Sequence, residues 1–480
     1  MTVSLRQWQK DCVTAAIEKY QNNQKHFFCL AATASGKTLM AAEVARQLLH
    51  QEAIDIVLCF CPTNEIQISM KRSFEQHLGH VFDQKLKAQG SVLTYQSMLF
   101  QPESFWSILQ AYRVLVVFDE IHHCAGTDFS RNNAWGSQIL KLIAEQAAFI
   151  LCLSGTPWRS DKLPITTALY DQHGQIQCDY AYGLADAVRD GVCRKPTIVL
   201  IDNDKIQVEL TSKAPVSFPS IAQALKDSPL QYTDLLLNET VQKFLLKKSI
   251  AKLDTIRAHN PQAGGLVVAS SVEHAVTITQ MLKYEYAQSA VVVSYLHPNS
   301  SQVIDQYRND TTRWIVSVGM VSEGTDIPRL QVCCHLSHIR TEVYFRQILG
   351  RILRITGTSE LGAFLYMLAE PNLSQFAQRL RVDIPEIEVN FENMAAEPRS
   401  ESLPENLKKP SQSLSEGLFF DFKSAFSTDD AHSKNESTAI TPQFKDDNYA
   451  TKEAELLKDF ELNETAFIEQ LVGLYDNNPS

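Results

Sequence analysis

Val114-Leu-Val-Val-Phe118-Asp119-Glu120-Ile121-His122-His123 joins a run of five apolar residues to two adjacent carboxylates. A short, uninterrupted apolar run is the pattern of a strand covered on both faces, as in a parallel sheet. Asp119 and Glu120 then fall at the strand's carboxyl end, where open α/β sheets bind ligands. Neighbouring acids repel unless a cation lies between them or their surroundings separate their pKa values. The chain offers a source for such a cation upstream, at Gly36-Lys37-Thr38.

That triplet has a defined setting. His26-Phe27-Phe28-Cys29-Leu30-Ala31 reads as a strand, Ala32-Thr33-Ala34-Ser35-Gly36-Lys37-Thr38 as a loop of small residues, and residues 39–51 as a helix. Strand, small-residue loop and helix are what a phosphate loop requires. Backbone N–H groups and the helix N-terminus face the phosphates, Lys37 adds positive charge, and the Thr38 hydroxyl can ligate magnesium. Ala31 stands where the generic pattern has its first glycine.

Further strands are expected at 54–60 and 149–153, the second running into Ser154-Gly155-Thr156-Pro157. With helices between them these make a doubly wound α/β domain over residues 1–165. Strand-like runs at 197–201, 265–270, 290–294, 314–318, 332–336 and 363–368 make a second domain over 166–384. Residues 211–260 read as an insertion in it that ends in a long helix.

Composition bounds the class. A chain of 480 residues exceeds one ordinary core, and 44% hydrophobic with 21% charged residues fits a globular protein. No apolar run reaches the roughly 18–20 residues of a membrane helix, and no apolar leader follows Met1. A cytoplasmic protein with no membrane partner is expected. The ten cysteines lie mostly in apolar runs and lack zinc-ribbon spacing, so buried, reduced thiols are expected.

The net charge of −11 is concentrated at one end. Residues 385–480 hold 20 Asp/Glu against 8 Lys/Arg, which leaves +1 for the remainder. A polyanion would therefore meet a local patch, not a global field. Residues 396–416 have linker or disorder composition, followed by a small aromatic island at 418–422. Residues 452–475 read as an amphipathic helix that packs on the main body or docks a partner protein.

Tyr344-Phe345-Arg346-Gln347-Ile348-Leu349-Gly350-Arg351-Ile352-Leu353-Arg354 puts two arginines on one helical face, with Gln347 a turn earlier. Such a face suits a site where charge develops on a transferring phosphoryl group. Read as a plain basic surface helix, it would bury Ile348, Leu349, Ile352 and Leu353. His122-His123-Cys124 beside two acids lacks the His-Glu-x-x-His spacing of a zinc hydrolase.

Together these motifs resemble those of superfamily 2 helicases of the DEAD/DEAH-box type, in the branch of phage, repair and restriction-type DNA helicases. The likeness spans roughly residues 5–355, in the family's order. Leu5-Arg6-x-x-Gln9 resembles the adenine-reading motif, and residues 33–38 resemble motif I, with Ala34 where many members have glycine. Cys61-Pro62-Thr63 and Leu93-Thr94-Tyr95-Gln96-Ser97 resemble the strand-contacting motifs Ia and Ib. Asp119-Glu120-Ile121-His122 resembles motif II, Ser154-Gly155-Thr156-Pro157 motif III, residues 317–328 motif V, and Gln347-x-x-Gly350-Arg351-x-x-Arg354 motif VI.

The resemblance implies two tandem RecA-like, doubly wound parallel-sheet domains of α/β class, to which the composition adds an acidic, partly disordered C-terminal extension. It implies ATP held by Arg6, Gln9, Thr33, Ala34, Ser35, Gly36, Lys37, Thr38, Gly324 and Asp326, with Mg²⁺ on Thr38 and Asp119. Catalysis falls to Glu120, Lys37, Gln347, Arg351 and Arg354. Nucleic acid would meet Pro62, Thr63, Thr94, Gln96, Ser270 and Ser317, with His122, Ser154 and Thr156 coupling the two sites. An ATP-dependent helicase or translocase acting on DNA is expected. An RNA helicase, and an ATP-gated recruitment subunit for a partner effector such as a nuclease, are the alternatives.

Overall fold

The apolar runs become two parallel sheets. The computed structural model describes residues 4–83, 88–123, 134–155, 169–170, 176–211, 213–294, 296, 299–319, 327–355, 362–381 and 457–473. In the first sheet, β1 (His26–Ala31), β2 (Ile56–Cys61), β3 (Gly90–Thr94), β4 (Val114–Asp119) and β5 (Phe149–Ser154) lie in the order β3-β2-β4-β5-β1, all parallel. Every residue of β4 is buried, which explains its lack of polar–apolar alternation. Leu115 and Val117 join a core with Trp8, Ala41 and Phe74 on one face, while Val116 and Phe118 pack with Trp106 and Ile143 on the other. The helices α1 (Gln7–Gln21), α2 (Lys37–His50) and α3 (Asn64–Leu78) pack in sequence, and the short α4 (Tyr95–Leu99) follows β3.

The first sheet extends beyond the expected boundary at 165. After a small antiparallel ladder of β6 (Leu169–Tyr170) and β7 (Ile176–Gln177), β8 (Tyr180–Tyr182) adds a sixth strand, parallel to β1. The boundary expected at 165 would instead place these residues in the second domain. Three residues carry no periodic signal, and the partner that makes them a strand, Cys29–Ala31, is remote in the chain.

The second sheet opens with β9 (Pro196–Asn203). A hairpin follows, β10 (Ile206–Leu210) and β11 (Lys213–Phe218), with β11 already inside the expected insertion, which goes on to the long helix Glu239–Arg257. The remaining parallel strands are β12 (Gly264–Ala269), β13 (Ala290–Ser294), β14 (Trp314–Val318), β15 (Leu330–Leu336) and β16 (Ala363–Leu368), ordered β13-β14-β12-β15-β16-β9.

Over its described part, residues 457–473, the amphipathic helix expected at 452–475 is absent. The chain instead forms β17 (Leu457–Leu462), antiparallel to β10, and β18 (Phe467–Gly473), antiparallel to β9. An edge strand with unpaired N–H and C=O groups outweighs a weak local helical preference. Phe467 stacks on Phe244 at 4.2 Å and Glu469 pairs with Lys248, fixing β18 to the insertion helix. The C-terminal extension is therefore partly a structural element of the second sheet. Both sheets and these two strands belong to one compact unit. The acidic linker and the aromatic island at 418–422 lie outside the described residues.

The nine cysteines among the described residues are free thiols, all but Cys178 buried. No described helix is long and apolar enough to cross a membrane.

Candidate active site

The small-residue loop turns between β1 and α2 through two left-handed residues, Ala34 at φ +71° and Gly36 at φ +100°. A Cβ on Gly36 would sit 2.8 Å from Gln9 Nε2, so both conformation and approach require glycine. Ala34 adopts its conformation with a side chain, at a cost of roughly 1 kcal/mol. The start of α1 braces the loop. Arg6 Nη1 donates to the Ser35 carbonyl at 2.5 Å, and Gln9 Nε2 to the Gly36 carbonyl at 2.9 Å. Gln9 Oε1 accepts from the Arg6 backbone N–H at 2.8 Å. Gln9 is 1% exposed and commits both ends of its amide to the backbone. Ser35 is fully buried beneath the turn.

The carboxylates at the end of β4 are held apart electrostatically. Glu120 sits at φ +51°, a strained conformation for a residue with a side chain. Lys37 Nζ donates to Glu120 Oε1 at 2.9 Å and to the Ala31 carbonyl at 3.1 Å, while the Gly155 N–H donates to Glu120 Oε2 at 2.9 Å. Burial raises the Glu120 pKa, but the charges of Lys37 and His122 and the Gly155 N–H outweigh it and leave the group below the usual carboxylate range. Asp119 is pushed up, first by burial and then by the Glu120 charge. The Tyr95 hydroxyl donates to the Asp119 backbone carbonyl at 2.7 Å and ties α4 to this strand end. His122 lies on the 3₁₀ turn Ile121–His123, with Nδ1 2.9 Å from Ser154 Oγ and 3.6 Å from Glu120 Oε2.

The other half of the site comes from the second sheet. The helix Glu342–Ile352 is capped by Thr341, whose hydroxyl accepts from the Tyr344 N–H at 3.4 Å. Its Gly350 lies directly against Thr33, and Arg351 and Arg354 line one cavity with Arg6, Thr33, Ala34, Gly36, Lys37, Thr38, Asp119 and Glu120. The cavity encloses about 360 Å³. Gln347 sits a turn earlier on this helix and is not among the lining residues; its neighbour Arg346 is paired with Glu342 at 3.0 Å. Five lining residues carried no motif signal: Ile66, Ser69 and Met70 of α3, Val192 before β9, and Ile355 after Arg354; Pro328, before β15, is the last residue of the motif V stretch.

Thr38 and the buried Asp119 share the cavity wall. That donor set fits Mg²⁺, which takes one or two carboxylates and completes its shell with phosphate and water oxygens. A second polar cavity, about 530 Å³, lies among Arg46, His50, Asp55, Leu78 and Arg113. It sits at the C-terminal ends of α2 and α3, where the helix dipoles are negative, and Arg113 is held by Asp55 at 2.5 Å. It suits phosphate less well.

The proposed strand-contacting residues lie near the carboxyl ends of strands in both sheets. Thr63 and Thr94 cap α3 and α4, accepting from the N–H groups of Ile66 at 3.3 Å and Ser97 at 3.1 Å. Pro62 precedes Thr63, and Gln96 lies in α4. Ser270 follows β12, its hydroxyl 2.7 Å from His274 Nδ1. Ser317 is 1% exposed within β14, so this conformation offers its side chain no surface contact. Thr156, Gly324 and Asp326 lie outside the described residues.

Residues 2–159 match the family model described as type III restriction enzyme, res subunit. Two solved structures share the fold. One is a fragment of a type I restriction enzyme from Vibrio vulnificus YJ016, assigned as its HsdR subunit, with TM-score 0.53, 15% identity, and coverage of 78% of this chain and 66% of that one. The other is LlaBIII, an ATP-dependent type ISP restriction-modification enzyme bound to DNA, with TM-score 0.53, 14% identity, and coverage of 81% and 30%. The chain thus shares the fold of these two restriction enzymes, and residues 2–159 resemble the res subunit of type III restriction enzymes. It is also 32% identical over 400 residues to the uncharacterized protein Rv2917 of Mycobacterium tuberculosis, covering 79% of this chain and 63% of that protein. The chain thus spans under two thirds of that relative's length. In superfamily 2 terms, motifs I, II and VI meet at one cavity, while most of motif V and the end of motif III fall outside the described residues.

Proposed function

We propose that the chain is an ATP-dependent translocase or helicase, acting on DNA and hydrolysing ATP between its two RecA-like sheets. The observation that carries this reading is the shared cavity. Arg351 and Arg354 of the second sheet line it with Lys37, Thr38, Asp119 and Glu120 of the first.

In this reading the arriving nucleotide competes with Glu120 for Lys37. The ammonium turns from Glu120 Oε1 to the β- and γ-phosphates, and Glu120 stays anchored by the Gly155 N–H. The freed carboxylate orients the attacking water and takes its proton as the oxygen bonds to the γ-phosphorus. The bond to the leaving ADP oxygen breaks. Thr38 and Asp119 hold Mg²⁺, which neutralises phosphate charge when bound. Arg351 and Arg354 meet the charge developing on the phosphoryl group, a role typically worth ~10³–10⁵ in rate. Arg6 and Gln9 set the loop's shape, and Thr33, Ala34, Ser35 and Gly36 present its backbone. Gln347, Gly324 and Asp326 sense the nucleotide. His122, Ser154 and Thr156 relay its state to the strand-contacting residues Pro62, Thr63, Thr94, Gln96, Ser270 and Ser317.

DNA is favoured over RNA because the matching family is a restriction-enzyme subunit and LlaBIII is bound to DNA. A cytoplasmic setting, and a protein partner bound through the acidic tail, complete the proposal. ATP hydrolysis with single-stranded DNA, duplex DNA and RNA, with Lys37→Ala as the blank, tests it. Stimulation by RNA alone makes DNA the wrong substrate; no stimulation by any polynucleotide rejects the reading.

A further inference from the structure

The chain crosses from the first sheet to the second through a short linker. The helix Leu184–Arg189 follows β8, Gly191 turns at φ +65°, and β9 begins at Pro196. Within this linker Arg194 is 3% exposed. Its Nη1 donates to the carbonyls of Leu330 at 2.9 Å, Ile352 at 3.2 Å and Pro328 at 3.3 Å, and its Nη2 donates to Pro328 at 3.3 Å. Burial lowers its pKa to about 10, which still leaves a cation at neutral pH.

These acceptors are not scattered. Ile352 ends the helix that carries Arg351, where carbonyls lack intrahelical partners and a cation is favoured. Pro328 shares the cavity wall with the arginines, and Leu330 opens β15. The backbone reinforces the contact: the Arg194 N–H donates to the Leu353 carbonyl at 2.7 Å, and Cys193 forms an isolated antiparallel bridge with Arg354. On the opposite side, Cys193 Sγ lies 3.7 Å from the Thr33 carbonyl of the phosphate loop. Residues 193–194 therefore touch both halves of the site.

We propose that Arg194 is a positioning residue whose planar fork fixes the end of the helix bearing Arg351, and the adjoining Arg354, to the linker between the sheets. Arginine reaches carbonyls of separate segments through one rigid group, whereas a lysine ammonium is a point charge on a flexible stem. Movement of the linker is then transmitted to both arginines. The catalytic consequence rests on the proposed function; the clamp itself does not.

The test uses the full chain with Arg194→Lys and Arg194→Gln. Amide hydrogen exchange over residues 349–355 reads the clamp. Hydrolysis kinetics, binding of a fluorescent ADP analogue and thermal unfolding read its consequence. Faster exchange at the helix end is expected in both variants. The kcat should fall by up to about 10²-fold, the scale of a catalytic group misplaced by ~1 Å, while ADP affinity holds and Arg194→Lys loses less than Arg194→Gln. Unchanged exchange in the folded variants overturns the clamp. Wild-type kcat despite faster exchange, or an equal loss of kcat and ADP affinity, overturns the positioning role. A wild-type chain without hydrolysis refutes the proposed function, and hydrogen exchange alone then decides for or against the clamp.

Discussion

Gly350 and Thr33, from opposite sheets, approach so closely that a Cβ on Gly350 would lie 2.6 Å from Thr33 Cγ2 and 2.7 Å from its Cβ. The phosphate loop and the arginine helix are therefore in direct contact, and the approach has no room for a methyl group. The glycine within the run Gly350-Arg351 is a steric requirement of bringing the arginines to the cavity.

Gly350→Ala should separate these surfaces while leaving both sheets folded. We expect a stability loss of about 1–3 kcal/mol from overpacking. The larger effect is on turnover, with kcat down by up to about 10²-fold as the arginines move out of reach. Steady-state hydrolysis together with thermal unfolding separates the two effects; unchanged kcat would show that turnover does not need this contact.

Lys37→Ala should destabilise the nucleotide-free protein as well as remove activity. It leaves Glu120, whose side chain is 20% exposed, without its ammonium partner. The expected cost is about 2 kcal/mol, below the 3–5 kcal/mol of breaking a fully buried pair. Adding Glu120→Gln should recover part of that loss, because no unpaired charge then remains. Denaturant unfolding of the two single variants and the double variant checks this, and strictly additive losses would argue against the pair.

Acid sensitivity should arise between α2 and α3. Glu43 is buried, 2.6 Å from both Arg46 Nη2 and His77 Nε2. Burial raises its pKa, but hydrogen bonds from Arg46, Gln47 and His77 outweigh this and bring it down to about 2. The folded value lies below the unfolded one, so the stabilisation is present above pH ~4.5 and lost as pH falls toward ~2. The wild-type chain should lose up to about 3 kcal/mol more than Glu43→Gln across that window. Unfolding free energy measured against pH reads the difference; parallel curves would contradict it.

Removing residues 457–480 should destabilise the second sheet. Without β18, the full length of β9 becomes an open edge, and Phe244 loses its stacking partner Phe467. A lower unfolding temperature and increased self-association are expected, read by calorimetry and light scattering. Unchanged behaviour would reduce β18 to an ornament of the fold.

What could be read in the sequence follows from how local each signal is. β4 and the loop 32–38 announce themselves because each signal is contiguous in itself: Asp119 and Glu120 close one apolar run, and Gly36-Lys37-Thr38 follows another. β8 and β18 do not, since only pairing with β1 and β9 makes them strands. Leu457, Phe460, Phe467 and Leu471 satisfy helical spacing, yet Asn463 begins a short turn between two strands; its side chain accepts from the Thr465 N–H at 2.9 Å. The puzzle of Asp119 and Glu120 was legible, but part of its solution was not: the Gly155 N–H joins Lys37 on Glu120. Arg194 carries no motif at all, because its acceptors come from distant segments of the chain.

The most direct measurement is ATP turnover by Arg351→Ala beside the wild type, with and without single-stranded DNA, while ADP-analogue binding is followed in parallel. A site completed across two sheets predicts DNA-stimulated turnover in the wild type. It also predicts a loss of ~10³–10⁵ in the variant with nucleotide binding retained. Wild-type turnover by Arg351→Ala would contradict it, placing the whole hydrolytic site on the first sheet.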